Sequence, residues 1–229
     1  MKSLKSRLWP LLKNLFTAFL KPRISEDKLK VRKVNRQEWN TNWSRCVMVN
    51  MLQSWEYGEA KEKTDGWKAN RFLVSDQKGK PVGLVQVLTK RLPFFGFFAR
   101  LNRGPLLIDE SVADREVPLK LAILSSILHE ARRRHWWVFQ AAPELPATDE
   151  ARRGMEALDF YGINAQPWGS GLLDLKLSND DLHSNLSKRW KRSLRKSATL
   201  GVKVICKDLS EKHLNNALNL YTDLQNKNK

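Results

Sequence analysis

Two apolar segments joined by a short turn leave this chain few possible folds. Residues 69–75 and 81–90 are rich in Val, Leu and Phe. Between them stands Asp76-Gln77-Lys78-Gly79, a sequence typical of a turn. Because β-branched and aromatic residues favour strands, we predict a pair of antiparallel strands here.

Hydrophobic periodicity predicts further elements on both sides of this pair. Upstream of it we predict a strand at residues 30–34 and helices at 36–45 and 54–63. Downstream we predict a strand at 98–103, a helix at 117–134, a strand at 136–141, a helix at 150–158, and strands at 161–167 and 171–175. This order predicts an α/β (α+β) fold, in which a mixed sheet is flanked by helices.

The character of the sequence changes after Leu175. Residues 179–200 are predicted to form one long helix with Leu182, Leu186, Trp190 and Leu194 on a single apolar stripe. Gly201 ends that helix, and a strand (202–206) and a helix (210–226) follow. We predict three parts: a basic helix and linker (1–29), a first domain (30–170) and the incomplete start of a second (171–229).

The N-terminal segment is basic and amphipathic. Leucine and phenylalanine recur at helical spacing over residues 4–20, while Pro10 and Lys13 interrupt the apolar stretch. Such a segment is too short and polar to span a bilayer. We predict a helix in residues 1–23 that lies on an anionic membrane surface or packs on the protein's own core.

The charge balance favours an anionic partner. Lys and Arg total 41 against 24 acidic residues, a formal net charge of +17. Such a field attracts nucleic acid, anionic lipid or phosphorylated substrates. Cys46 and Cys206 lie far apart without metal-ligand spacing, so we predict neither a disulfide framework nor a zinc site. This cysteine usage favours the cytoplasm, with a peripheral position at the inner membrane face.

Familiar catalytic and cofactor motifs are missing from the sequence. We find no Gly-rich phosphate loop, HExxH, nucleophile elbow or CxxC pair. Residues 100–104 lack the spacing of a coenzyme A pyrophosphate loop. We therefore predict no cofactor and no metal, and we assign no catalytic residue. The four histidines are interpreted as ordinary surface or helix residues.

Three sequence blocks, in order, resemble the FemABX family. The first is Gln53-Ser54-Trp55-Glu56-Tyr57-Gly58-Glu59-Ala60-Lys61 followed by Gly66-Trp67. The second is Asn102-Arg103-Gly104-Pro105, and the third is Leu173-Asp174-Leu175 followed by the basic segment 187–204. Their spacing agrees with the family across roughly residues 30–225.

The resemblance implies two GNAT-like domains and an acyltransferase activity. FemABX proteins transfer amino acids from aminoacyl-tRNA to the amino group of a peptidoglycan precursor, without a metal. By the same resemblance, Lys61 helps to hold the phosphorylated, lipid-linked precursor, with Trp55, Tyr57 and Arg103 as further substrate-binding residues. The chain departs from the family at Trp137 and Ala142, where a tyrosine and an acid can stand.

The basic segment after residue 187 is predicted to contact tRNA or another phosphate. We assign this contact to four cations, Lys188, Arg189, Arg192 and Arg195. Trp190, between them, is predicted to pack on the core. Two alternatives stay open: a GNAT-like acyltransferase acting on a polysaccharide or amino-acid acceptor, and a non-catalytic basic module that binds RNA or anionic membrane.

Overall fold

The computed structural model describes residues 29–93, 96–109, 115–163, 173–206 and 210–227. The chain divides into two compact units, residues 1–164 and 165–229. The helix predicted for residues 1–23 lies outside the described residues. The domain boundary predicted at residue 170 also falls outside them and stays a prediction.

A mixed sheet forms the centre of the first unit. Its strands are β1 (Lys30–Lys33), β2 (Lys68–Ser75), β3 (Pro81–Arg91), β4 (Phe97–Asn102), β5 (Leu106–Leu107) and β6 (Trp136–Ala142). They are ordered β1-β2-β3-β4-β6, and β5 pairs with β3. Strands β1 to β4 pair antiparallel, whereas β4 and β6 pair parallel. The predicted fold class, a mixed sheet flanked by helices, is confirmed.

The predicted central hairpin is β2–β3. Phe72 faces Val85 and Leu73 faces Leu84 across it, so each face of the pair carries its own apolar set. The Asp76 carboxylate accepts a hydrogen bond from the Lys80 amide at 2.8 Å. Gly79 has a φ of 86°, which glycine adopts without the steric cost that a Cβ brings. These residues fix the turn and the strand register.

Four helices accompany the sheet in the described part of this unit. They are α1 (Arg36–Trp43), α2 (Trp55–Asp65), α3 (Glu116–Arg133) and α4 (Asp149–Ala157), and a 3₁₀ turn (Met51–Gln53) precedes α2. The Ser54 hydroxyl accepts a hydrogen bond from the Tyr57 amide at 3.1 Å and caps the start of α2. Gly66, with a φ of 66°, ends α2. The predicted helices start and end within two residues of these bounds.

The main hydrophobic core lies between the sheet and α3. Buried members of this core include Phe72, Val85, Leu101, Ile127 and Trp136. A smaller core on another part of the sheet holds Trp39 of α1 with Leu73, Leu84 and Ile108, and Trp55 packs against it. The two faces of the sheet therefore have different surroundings, and α2 belongs to the second.

The chain after residue 160 differs from its prediction in both helices and strands. Its helices are α5 (Asn179–Asn185), α6 (Lys188–Thr199) and α7 (Glu211–Lys227), so the single helix predicted at 179–200 is wrong. The Ser187 hydroxyl accepts a hydrogen bond from the Trp190 amide and starts a new helix there. Residues 202–206 form no strand, and neither do 161–163 or 173–175; the rest of the predicted strands 161–167 and 171–175 lies outside the described residues.

No helix in the described ranges is both long and apolar enough to cross a bilayer.

Candidate substrate-binding surface

Helix α2 is held on the sheet by a buried polar network rather than by apolar side chains alone. The Gln53 amide nitrogen donates to the Gln86 carbonyl at 3.1 Å and to the Asn102 carbonyl at 2.7 Å. Its amide oxygen accepts from the Gln86 amide at 2.8 Å. Gln53 is fully buried. It therefore joins the segment before α2 to β3 and to the end of β4.

Arg71 extends this network under the helix. Its Nε donates to the Gln86 side-chain oxygen at 2.9 Å, and its Nη2 donates to the Trp55 carbonyl at 2.9 Å. The guanidinium lies 3.8 Å from the centroid of the Trp55 ring, a cation–π contact. Burial lowers the pKa of Arg71, with the nearby Glu62 and Glu59 acting in the opposite sense. Trp55, a predicted substrate-binding residue, is thus engaged inside the protein.

Lys61 and Tyr57 are neighbouring half-buried residues of α2. The Lys61 ammonium pairs with the Asp65 carboxylate one turn later and sits 5.8 Å from the Tyr57 ring centroid. The hydrogen bond that the Lys61 ammonium donates to the Asp65 carboxylate raises the pKa of Lys61 and lowers that of Asp65. Asp65 is therefore a weak base, and Lys61 stays cationic.

Two cations from β3 and β4, a ring from β4 and the Trp67 ring just before β2 lie near Lys61. The Arg100 guanidinium lies 5.7 Å from the Trp67 ring centroid and 5.9 Å from that of Phe98. The Lys90 ammonium lies 5.9 Å from the Trp67 ring and donates to the Asp65 carbonyl at 3.0 Å. The positive charge of Arg100 also lowers the pKa of Lys61, but this effect is smaller than that of the hydrogen bond to Asp65.

These residues form one surface on the side of the sheet that carries α2. We name it the basic–aromatic surface; it consists of Tyr57, Lys61, Trp67, Lys90, Phe98 and Arg100. Arg100 is oriented from β6, because its Nε donates to the Gln140 side-chain oxygen at 2.9 Å. Three cations beside three rings suit an anionic ligand that also contains a planar or cyclic group.

Arg103 occupies a different place, at the carboxyl ends of β4 and β6. Its guanidinium lies 3.4 Å from the Glu144 carboxylate, and its amide donates to the Ala142 carbonyl at 2.8 Å. Lys120 of α3 donates to the Glu144 carbonyl at 2.7 Å. Along β4, Arg103 follows Arg100 of this surface by three residues, a rise of about 10 Å. The structure places Lys61 beside Tyr57 and Asp65, and it places Arg103 beside Glu144.

The four predicted phosphate contacts lie together on α6. Lys188, Arg189, Arg192 and Arg195 are all exposed. Trp190 on the same helix is 67% exposed, so the prediction that it packs on the core is wrong. An amphipathic stripe indicates which residues share a face, but it does not indicate that a partner covers them.

Sequence reasoning missed Arg100, Trp67, Lys90 and Gln140. Trp67 was noted only as part of a motif, and Gln140 stands in an otherwise apolar strand. Arg100 and Gln140 meet because β4 and β6 pair in parallel across 40 residues. The available signal was a single charged or amide side chain within an otherwise largely apolar strand, Arg100 in β4 and Gln140 in β6. Within the described part of the chain, no cluster of His, Cys, Asp and Glu is arranged to hold a metal.

Comparisons with known proteins give weak similarities. No protein-family profile and no curated protein matches the sequence. A probable acetyltransferase is similar in structure at a TM-score of 0.42 and 13% identity, over 63% of this chain and 99% of its own. Glucosamine-6-phosphate N-acetyltransferase from Arabidopsis thaliana gives 0.40 and 11%, over 64% and 99%. A transcriptional regulator from Bacillus halodurans C-125 gives 0.41 and 12%, over 63% and 99%. Similarities of this size carry no argument about function, which must come from the chain's own residues.

Proposed function

We propose that the chain is an acyltransferase of the FemABX type, which transfers an aminoacyl group from aminoacyl-tRNA to the amino group of a peptidoglycan precursor. The observation that carries the proposal is the basic–aromatic surface. Lys61, the residue that the sequence resemblance assigns to the phosphorylated precursor, lies there beside two further cations, Lys90 and Arg100. A diphosphate brings negative charge that three cations can neutralise.

In the proposed reaction, the protein acts chiefly by positioning the two reacting groups. Aminolysis of an aminoacyl ester needs the amine and the carbonyl carbon held in contact, and such alignment supplies a large part of a rate enhancement. Cations and amide groups near the reacting carbonyl stabilise the developing oxyanion. Glu144 pairs with Arg103 at the carboxyl ends of the parallel strands. Replacing Glu144 by Gln tests whether this carboxylate acts as a general base in the proposed reaction.

A binding experiment with matched lysines tests the surface. Lys61 and Lys63 are one half-turn apart on α2, and only Lys61 lies beside Tyr57 and Asp65. We expect Lys61→Gln to weaken binding of the diphosphate-linked precursor roughly tenfold or more, because a hydrogen bond between charged groups contributes about 1.5–3 kcal/mol. Lys63→Gln should leave binding unchanged. Equal losses in the two variants would show that only overall charge matters.

Transfer of radiolabelled amino acid from charged tRNA to the precursor tests the reaction. Label on the precursor, reduced by Lys61→Gln and unaffected by Lys63→Gln, is the expected result. A chain that binds precursor yet transfers no amino acid from any charged tRNA contradicts the aminoacyl reaction. Transfer of acetyl from acetyl-coenzyme A in the same assay would identify a different acyl donor.

A second candidate, a non-catalytic RNA-binding module, is favoured by α6. Its cations are exposed, and Trp190 adds an exposed ring of the kind on which bases stack. Binding of uncharged tRNA should weaken as salt rises, with a slope set by the number of phosphates contacted. Replacing Arg192 and Arg195 by Gln should reduce that slope by about two. An unchanged slope would exclude α6 as the RNA contact.

A further inference from the structure

The loop between α1 and the 3₁₀ turn exposes four large apolar side chains. Val47 and Met48 are each 51% exposed, Val49 is 48% exposed and Met51 is 72% exposed. Three of them are consecutive, so they form one continuous patch rather than scattered surface residues. Contiguous exposed apolar surface of this kind marks a site of interaction.

The backbone around this patch is fixed rather than free. Cys46 forms a β-bridge with Ile108, and the Val47 amide donates to the Leu107 carbonyl at 3.1 Å. The Asp109 amide donates to the Arg45 carbonyl at 3.2 Å. The main chain is therefore anchored to the end of the sheet, and the apolar side chains are presented outward from it.

Cations surround the patch at this end of the sheet. The Lys80 ammonium lies 3.3 Å from the Asp109 carboxylate, which ties the β2–β3 turn to the segment bonded to Arg45. Lys78 in the turn and Arg45 beside the loop are both exposed. Two acids lie here as well, because Asp109 pairs with Lys80 and Asp76 accepts from the Lys80 amide. Among the described residues of this rim, the three cations therefore exceed the two carboxylates by one charge.

We propose that this apolar loop and its basic rim bind the surface of an anionic lipid bilayer. Apolar side chains bury themselves at the boundary of headgroups and acyl chains, while the cations meet lipid phosphates. Methionine suits such a role, since its flexible side chain adapts to an irregular environment. We name the loop residues 47–51 with Arg45, Lys78 and Lys80 the lipid-binding tip.

Other occupants fit these observations less well. A second copy of the chain would bring an identical positive rim against the first, which is repulsive. RNA would neutralise the cations but would leave the Val and Met side chains in water. An anionic bilayer would both bury the apolar side chains of the tip and neutralise its cations. This inference stands apart from the acyltransferase proposal, because it requires neither Lys61 nor any transfer reaction.

A fluorophore placed on the tip tests the proposal in the full chain. Met48→Cys, in a Cys206→Ser background, receives an environment-sensitive label, and Glu150→Cys on the exposed start of α4 is the matched control. We expect the emission of the label at 48 to shift to the blue with vesicles of phosphatidylcholine and phosphatidylglycerol, and not with phosphatidylcholine alone. The label at 150 should not respond.

The label also separates the tip from any lipid binding by residues 1–23. A chain that floats with vesicles while the label at 48 still emits as in water overturns the proposal. A blue shift at high protein concentration without vesicles would also overturn the proposal, because it would indicate contact with a second copy of the chain. A blue shift produced by RNA without vesicles would overturn it as well. Activity assays play no part in these readings.

Charge and apolar variants supply a second measurement. Lys78→Gln should reduce partitioning onto anionic vesicles about fivefold at low salt, the effect typical of one cation near a charged membrane. Replacing Val47, Met48 and Val49 together by Ser should reduce it by about tenfold or more. Lys63→Gln is the control and should change nothing, and equal loss in that variant contradicts a local tip.

Discussion

Replacing Gly58 by Ala should destabilise the protein, although alanine is the better helix former. Gly58 is buried in α2 above the polar network. A Cβ at this position would lie 2.3 Å from the Gln86 side-chain oxygen and 2.5 Å from Arg71 Nη2. Neither atom can withdraw freely, because Gln86 and Arg71 are buried and bonded to each other at 2.9 Å.

The magnitude follows from three contributions. Helix propensity favours alanine by about 1 kcal/mol. Overpacking of a filled interior costs about 1–3 kcal/mol. Disturbing the hydrogen bond between Arg71 and Gln86 costs about another 1–3 kcal/mol, since a buried charged donor loses its acceptor. We therefore expect the free energy of unfolding to fall by about 3 kcal/mol, which lowers Tm by roughly 6–12 °C for a chain of this size.

Urea unfolding followed by tryptophan fluorescence and calorimetry measures this change. Gly162→Ala is the control, because a Cβ there meets no atom within 4 Å, and it should change stability by less than about 0.5 kcal/mol. Combining Gly58→Ala with Gln86→Ala should cost less than the sum of the single changes, by about 1 kcal/mol or more. A Gly58→Ala variant as stable as the parent would refute the close approach of α2 to the network.

Two further predictions concern buried groups. Gln53→Ala should lower the free energy of unfolding by about 3 kcal/mol, because it leaves backbone groups of Gln86 and Asn102 without partners. The control is Gln37→Ala at an exposed position of α1. Equal urea midpoints for the two variants would contradict this role of Gln53. Burial raises the pKa of the Cys46 thiol from 9.0 to about 12, so the folded chain retains a proton that the unfolded chain loses, and stability should fall as pH rises from 9 to 12. Cys46→Val should lack this part of the decline, and parallel stability curves for parent and variant would show that the thiol titrates alike in both states.

The sheet of the first unit was predictable because its elements are defined locally. Apolar runs with a turn between them determined β2 and β3 within one residue. Helix α2 is capped by Ser54 and Gly66, through interactions that depend on neighbours in sequence. Helix α3 was predictable from the apolar face that now packs in the core. The predictions from local sequence are correct here because the tertiary packing of this unit favours the same helices and strands.

The polar anchors and part of the candidate site were not predictable. Gln86 stands in the middle of an apolar strand, and only the three-dimensional structure shows that Gln53, 33 residues earlier, satisfies its backbone. The pairing of Arg100 with Gln140 depends on the register of two parallel strands. In the second unit, the periodic stripe concealed the break at Ser187, because capping competes with helix continuation at a serine.

The hydrogen bonds beneath α2 bear on how this protein could be engineered. Apolar interiors tolerate many combinations of similar volume, so the α3 side of the sheet offers broad freedom to a combinatorial library. Directional hydrogen bonds offer little freedom, because Gln53, Arg71 and Gln86 lie on three separate segments and Gln86 bonds to both of the others. Productive variants on that side should therefore arise as matched sets of simultaneous changes. Randomising one of these positions alone should yield mostly unfolded clones.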